Sequence, residues 1–174
     1  PFDKDADGAM PGEGLCGIII KKLEHAIRDN DSIYAIIKGG AINHGGSSIQ
    51  NITAPSSIAQ AEVIIESWKN SNINPNDIGF IEAHGTGTIL GDPIEFEGLS
   101  LAFKDFIKDT EKVCSISSVK GQYGHLDSVA GLLGLIRLVL ALKNKKLLPQ
   151  PGFNNIDSYL DEENSCVKIQ RKFE

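Results

Sequence analysis

The stretch Ile81-Glu82-Ala83-His84-Gly85-Thr86-Gly87-Thr88-Ile89-Leu90-Gly91-Asp92-Pro93-Ile94-Glu95 decides how this chain reads. The apolar run that leads into it, residues 78–83, has the pattern of a buried strand. It stops at a histidine, followed by alternating glycines and threonines. A helix start comes next, with Asp92 as N-cap, Pro93 at the first helical position and Glu95 placed to close a capping box. A histidine in a tight loop between a strand end and a helix start is where α/β proteins usually put chemistry.

A second stretch repeats the arrangement. Ser117-Ser118-Val119-Lys120-Gly121-Gln122-Tyr123-Gly124-His125-Leu126-Asp127-Ser128 follows a short β-like run and ends in a histidine. The spacing predicts a helix over 128–143 directly after it. A helix N-terminus disfavours an added positive charge, and His125, three residues before Ser128, is placed there.

Around these motifs the chain alternates strands and short helices. Strands are expected at 15–21, 33–39, 78–83, 113–117 and 166–170. Helices are expected at 23–28, from a Ser56 or Ser57 cap to about residue 70, at 93–106 and at 128–143. Ala61, Ile64, Ile65 and Trp68 fall on one face of the second helix. Residues 40–55 form a loop rich in glycine, serine and asparagine. Such alternation indicates an α/β layered fold.

Composition narrows the function. The 174 residues suit one domain, and 41% hydrophobic content is enough for a core. A net charge of −6 with no basic cluster argues against a nucleic-acid surface. Lys143, Lys145 and Lys146 fall at a helix end, where cations offset the dipole. The longest apolar segment, 129–142, is interrupted by Arg137 and falls short of the roughly 20 residues that cross a membrane. It reads as a helix buried nearly all round, with Gly131 and Gly134 admitting a close neighbour. Cys16, Cys114 and Cys166 are far apart, which suits reduced thiols packed as small core residues in a cytoplasmic protein. Asp3-Lys4-Asp5-Ala6-Asp7-Gly8 imitates a calcium loop, but Gly14 stands where the bidentate glutamate is required. His84, Asp92 and His125 make no metal trio, since Asp92 is explained as a cap.

His84-Gly-Thr-Gly-Thr with Gly91-Asp92-Pro93, and Ser118-Val119-Lys120 with Gly124-His125-Leu126, resemble the two histidine motifs of β-ketoacyl synthases. Upstream, Pro1-Phe2-Asp3, Ala6-Asp7-Gly8, Gly12-Glu13-Gly14, Asn43-His44-Gly45-Gly46 and Ala54-Pro55 follow the same family in the same order. The resemblance spans nearly the whole chain and is greatest to ketosynthase domains of modular polyketide synthases.

That resemblance implies a thiolase-like αβαβα fold, present here as a partial domain. Residues 1–52 would close the N-terminal half, and 53–174 would form most of the C-terminal half. It implies decarboxylative Claisen condensation of an acyl thioester with a malonyl-type extender, in polyketide or fatty-acid biosynthesis. His84 and His125 would stabilise the enolate, and Lys120 would order the hydrogen bonds around them. Thr86 and Thr88 would bind the 4'-phosphopantetheine arm of an acyl carrier protein, with no cofactor or metal held directly. Implied partners are that carrier protein, the remaining half of the ketosynthase, neighbouring synthase domains and a second copy. The nucleophilic cysteine is expected upstream of Pro1 and an oxyanion-hole glycine loop beyond Glu174, so the isolated chain is expected to be inactive. Two other readings stand beside this one: a ketosynthase that transacylates or decarboxylates without elongating, and a non-catalytic carrier-docking or structural fragment. Retention of His125 favours elongation, because non-elongating relatives often lose it.

Overall fold

The computed structural model describes residues 1–45, 55–104, 106 and 114–174. The expected boundary at 52/53 lies outside the described residues, as do Gly46, Ala54 and Val113. Helix α1 spans Leu23–Arg28 and α2 spans Ser57–Ser71. Strand β1 (Phe80–Glu82) leads to α3 (Gly91–Lys104), then β2 (Cys114–Ser117). A one-turn helix α4 (Lys120–Tyr123) precedes α5 (Ala130–Asn144), and β3 (Val167–Ile169) comes last.

The three strands form a parallel sheet in the order β1-β2-β3. Ile81 pairs with Ile116, and Ile116 with Ile169. Because side chains alternate across a strand, Ile81, Cys114, Ile116, Val167 and Ile169 all reach one face. There they meet Phe96, Leu99, Ala102 and Phe103 of α3. Helix α2 packs on α3 from outside, with Trp68 4.7 Å from the Phe103 ring and edge-on to Phe106 at 5.8 Å. Full burial of a side chain such as Phe103, Ile116 or Val167 contributes about 1.5–3 kcal/mol. The opposite face presents Phe80 and Glu82 to α5, where Arg137 lies over the Phe80 ring and bonds to Glu82. The result is helices, sheet, helix: three layers.

The caps explain where helices begin and end. Ser56 Oγ accepts the Ala59 N–H and starts α2, as expected, and Asn72 ends it in the left-handed region at φ 50°. Helix α3 begins two residues before Pro93. Thr88 caps it, its hydroxyl accepting from Gly91 N and its carbonyl from Asp92 N. Asp92 and Glu95 are therefore not the cap and its reciprocal partner. Their carboxylates reach out of the helix to more distant backbone, as described below.

Two expected strands are absent among the described residues. Segments 15–21 and 33–39 form no helix or strand and belong to no described sheet. Leu15, Ile19, Ile20, Ile36 and Ile37 are exposed there. Apolar alternation gives a segment the capacity to pair, but a strand exists only where a neighbour supplies the hydrogen bonds. Cys16 is half-buried in the first of these segments, whereas Cys114 is buried in the core and Cys166 packs against it. Helix α5 also departs from expectation. Its buried positions are Ala130, Gly134, Arg137 and Ala141, while Leu140 and Leu142 are exposed. The charged residue is inside because it has a partner there. Of the two glycines, Gly134 lies close against Glu82, and Gly131 faces open space. No described helix is long and apolar enough to cross a membrane.

Candidate active site

The end of β1 and the turn after β2 lie side by side, because β1 and β2 are parallel neighbours in register. Parallel strands deliver both carboxyl ends to one edge of the sheet, and His84 and the 118–125 segment follow from there. Gly124 adopts φ +76°, open to glycine at little cost, and a Cβ there would come within 2.8 Å of the Pro11 carbonyl. This bend turns the chain so that His125 pairs with the N-terminal segment. Its N–H donates to Met10 O at 2.7 Å, and its carbonyl accepts from Gly12 N at 3.0 Å. The rings of His84 and His125 consequently meet edge to face, with centroids 5.5 Å apart.

The His125 ring is oriented by its own backbone. Nδ1 accepts the Asp127 N–H at 3.0 Å, which requires Nδ1 to be unprotonated and leaves the ring proton on Nε2. His84 is held from the other side. Its carbonyl accepts from Lys120 Nζ at 2.5 Å and from Ser118 Oγ at 3.2 Å, and the same hydroxyl reaches Gly85 O at 3.1 Å. Both backbone N–H groups at this point go to Glu95: His84 N to Oε1 at 2.6 Å, and Gly85 N to Oε2 at 2.7 Å.

The electrostatics follow from this packing. Burial holds the His84 ring below its ordinary value, and the nearby Lys120 and His125 act in the same direction against Asp92. Burial also holds the Lys120 ammonium below the usual lysine range, opposed by Glu95, Glu82 and Asp92. Glu95 is pushed up by burial, against the two N–H bonds it accepts. Burial thus biases all three groups toward their neutral forms, and a neutral imidazole can donate to developing negative charge.

Thr86 and Thr88 lie just beyond. Their hydroxyls are 3.0 Å apart, and Thr88 Oγ1 also accepts from Gly91. Asp92 joins this loop to the N-terminus, with Oδ1 accepting from Gly87 N at 3.0 Å and Oδ2 from Phe2 N at 2.6 Å. Asp3 is taken up similarly, by the amides of Asp5, Asn154 and Asn155. His84, His125 and Lys120 thus come together, and the two threonines bond to each other and to the start of α3.

Sequence reasoning did not single out Glu82 or Gln150, and it gave Glu95 only a capping role and Arg137 only that of a break in an apolar segment. Gln150 Oε1 accepts from Ser118 N at 2.7 Å. One signal was present: Glu82 is the acid in an apolar strand and Arg137 the base in an apolar helix. A cavity of about 250 Å³ opens beside them, lined by Glu82, His84, Lys120, Ala130, Gly134 and Leu138, among others. A wider groove of about 800 Å³ runs between α3 and residues 159–166, lined by other residues. Burial raises the Cys114 thiol to about 12 and Cys166 above its ordinary range, so neither is disposed to form a thiolate.

Residues 34–154 match the family model for the β-ketoacyl synthase C-terminal domain. Polyketide synthase PksL of Bacillus subtilis is 43% identical over 173 residues, which are 99% of this chain and 4% of that protein. Probable polyketide synthase 17 of Dictyostelium discoideum is 44% identical over 169 residues, 97% of this chain and 6% of that one. The ketosynthase from module 6 of the bacillaene synthase of Bacillus subtilis superposes with a TM-score of 0.93 at 36% identity, covering 99% of this chain and 31% of its own. The oxazolomycin ketosynthase domain OzmH KS7 of Streptomyces albus gives 0.92 at 34% identity, covering 99% and 29%. The chain thus spans about a third of the solved ketosynthases and a small fraction of the curated synthases it matches.

Proposed function

The chain belongs to the β-ketoacyl synthase family, as the C-terminal half of a ketosynthase of modular polyketide synthase type with a partial thiolase-like α/β fold; from that premise we propose that it supplies the enolate-stabilising side of a decarboxylative Claisen condensation. Residues 1–52 end the N-terminal thiolase-like half, and 53–174 form most of the C-terminal half. The domain works in the cytoplasm, as part of a homodimer, with the rest of the ketosynthase and its neighbouring synthase domains. The acyl group is held as a thioester on a cysteine outside these residues, so the 174-residue chain alone does not condense.

The observation that carries this reading is the meeting of two imidazoles at 5.5 Å, one with its proton on Nε2 and one kept toward neutrality. A malonyl thioester arrives on the 4'-phosphopantetheine arm of an acyl carrier protein. As its carboxylate leaves as carbon dioxide, the C–C bonding pair moves onto the α-carbon and the thioester oxygen becomes an enolate. His84 and His125 donate to that oxygen, and donors already aimed there need no reorganisation as charge develops. The α-carbon then attacks the acyl carbonyl and expels the cysteine sulfur. Lys120 fixes the His84 backbone throughout.

Thr86 and Thr88 bind the arm. The bond between the two hydroxyls can run either way; with Thr88 donating while its Oγ1 accepts the Gly91 N–H, the Thr86 proton is left for an amide carbonyl of the ligand.

The test is the His84→Ala and His125→Ala variants, singly and together, in the complete ketosynthase domain that carries this chain. Carbon dioxide release from malonyl carrier protein is expected to fall about 10²–10³-fold for loss of one donor. Unchanged release from the double variant would leave only a docking or structural role.

A further inference from the structure

Glu82 is two residues before His84, and its side chain is 5% exposed. Its two oxygens go to different elements. Oε1 accepts the Val119 N–H at 2.5 Å, and Oε2 accepts from a terminal nitrogen of Arg137 at 2.5 Å. The other terminal nitrogen of Arg137 donates to Pro149 O at 3.0 Å and Leu148 O at 3.5 Å. A pair serving only to neutralise charge would favour the two-pronged guanidinium–carboxylate geometry. Here each partner gives up one prong to hold backbone. Helix α5 makes room for this, since a Cβ on Gly134 would lie 2.9 Å from Glu82 Cγ.

The backbone so held leads directly to the site. Val119 precedes Lys120, whose ammonium reaches the His84 carbonyl at 2.5 Å. Helix α5, fixed by Arg137, follows His125 after a short 3-10 turn at Asp127–Val129. Glu82 therefore connects the strand of His84, the turn of Lys120 and the helix behind His125.

The geometry points to Glu82 and Arg137 as a positioning pair for the proposed reaction: the carboxylate sets the Val119 amide and, through it, the reach of Lys120 to the His84 carbonyl. The inference rests on the roles given to His84, His125 and Lys120 above. Neither member touches substrate.

Removing one member leaves a bare buried charge, so single variants risk unfolding for reasons unrelated to position. Two double variants avoid this in the complete domain. E82Q/R137M and E82L/R137M both remove both charges, but only Glu82→Gln retains an oxygen for the Val119 N–H. Val119→Pro is the complementary change: it deletes the N–H itself, keeps the ion pair, and suits the observed φ of −61°.

Crystal structures and malonyl decarboxylation kinetics are read for all three. E82Q/R137M is expected to keep Lys120 Nζ on the His84 carbonyl, and E82L/R137M and Val119→Pro to lose it. Since a misplacement of roughly 1 Å can cost 10²-fold, kcat for the latter two should be at least about tenfold below that of E82Q/R137M, with KM similar. The same Lys120 position, or the same kcat, in all three overturns the proposal. Decarboxylation that survives loss of both histidines would instead sink the reading of the site, and the Lys120 position in the crystals would still decide what the pair does.

Discussion

The Glu95 carboxylate accepts the backbone N–H of His84 through one oxygen and that of Gly85 through the other, at 2.6 and 2.7 Å. A side chain on the first turns of α3 thus clamps the loop that leaves β1. An amide cannot replace it. The glutamine of Glu95→Gln would accept one N–H and point its own NH2 at the other. Loss of an acceptor for a buried N–H costs about 1–3 kcal/mol, and with the Gly85 bond part-buried and the His84 bond exposed the cost here falls at the low end of that range. Glu95→Gln is expected to lower the melting temperature accordingly and to slow malonyl decarboxylation, because the His84 ring is carried by the released backbone. Calorimetry and a carbon dioxide assay on the complete domain check it. A full-rate Glu95→Gln enzyme would show that His84 is held by Lys120 and Ser118 alone.

His84 should give the domain a pH signature. Burial holds its folded value below the ordinary 6.5. In the window between the two, the unfolded chain binds more protons than the folded one, so stability rises with pH there. The contribution is present above 6.5 and is lost as pH falls through the lower folded value. Glu82 and Glu95, both pushed up by burial, slope the other way: their contribution is present below 4.5 and is lost as pH rises through their folded values. The effect of His84 is therefore read as wild type minus His84→Gln, by denaturant melts from pH 4 to 8. The difference should grow toward neutral pH and level off above roughly 6.5. A flat difference would mean that His84 is not kept neutral by its surroundings.

How much of this was legible in sequence depended on the range of the interaction. The passage from strand through histidine to helix start, and the Ser56 cap of α2, rest on residues within one turn of each other. Local chemistry carried them. Asp92 and Glu95 were read as capping residues on the same local logic, but their acceptors are engaged by Phe2, Gly87, His84 and Gly85, from 5 to 90 positions away. Arg137 looked like a break in an apolar helix until Glu82, 55 positions earlier, supplied its partner. Segments 15–21 and 33–39 were misread because periodicity reports the capacity to pair, not the presence of a neighbour.

The two glycines of α5 make opposite predictions from one substitution. Gly131→Ala places its Cβ in open space, so it gains helix propensity of about 0.8–1.0 kcal/mol at most. Gly134→Ala brings its Cβ within 2.9 Å of Glu82 Cγ, on a side chain pinned at both oxygens. Overpacking of that kind costs about 1–3 kcal/mol. Thermal melts of the two single variants should move in opposite directions. If Gly134→Ala is neutral, Glu82 is freer to move than its bonds indicate.

Thr86 and Thr88 can be separated in the same way, because one hydroxyl holds a helix amide and the other does not. Thr88 Oγ1 accepts the Gly91 N–H at 3.1 Å and so caps α3, and losing a cap costs about 1 kcal/mol. Thr88→Val should therefore lower stability as well as weaken binding of a pantetheine thioester. Thr86 Oγ1 shares a hydrogen bond with Thr88 Oγ1 but holds no helix amide, so Thr86→Val should lower the melting temperature less than Thr88→Val does. Its effect should appear in KM for malonyl carrier protein, with kcat changing less, since removing an interaction shared by ground and transition states raises KM alone. Calorimetry and steady-state kinetics on both variants distinguish these outcomes. An unchanged KM in Thr86→Val would remove the threonines from the binding of the arm and leave them as the frame of the α3 start.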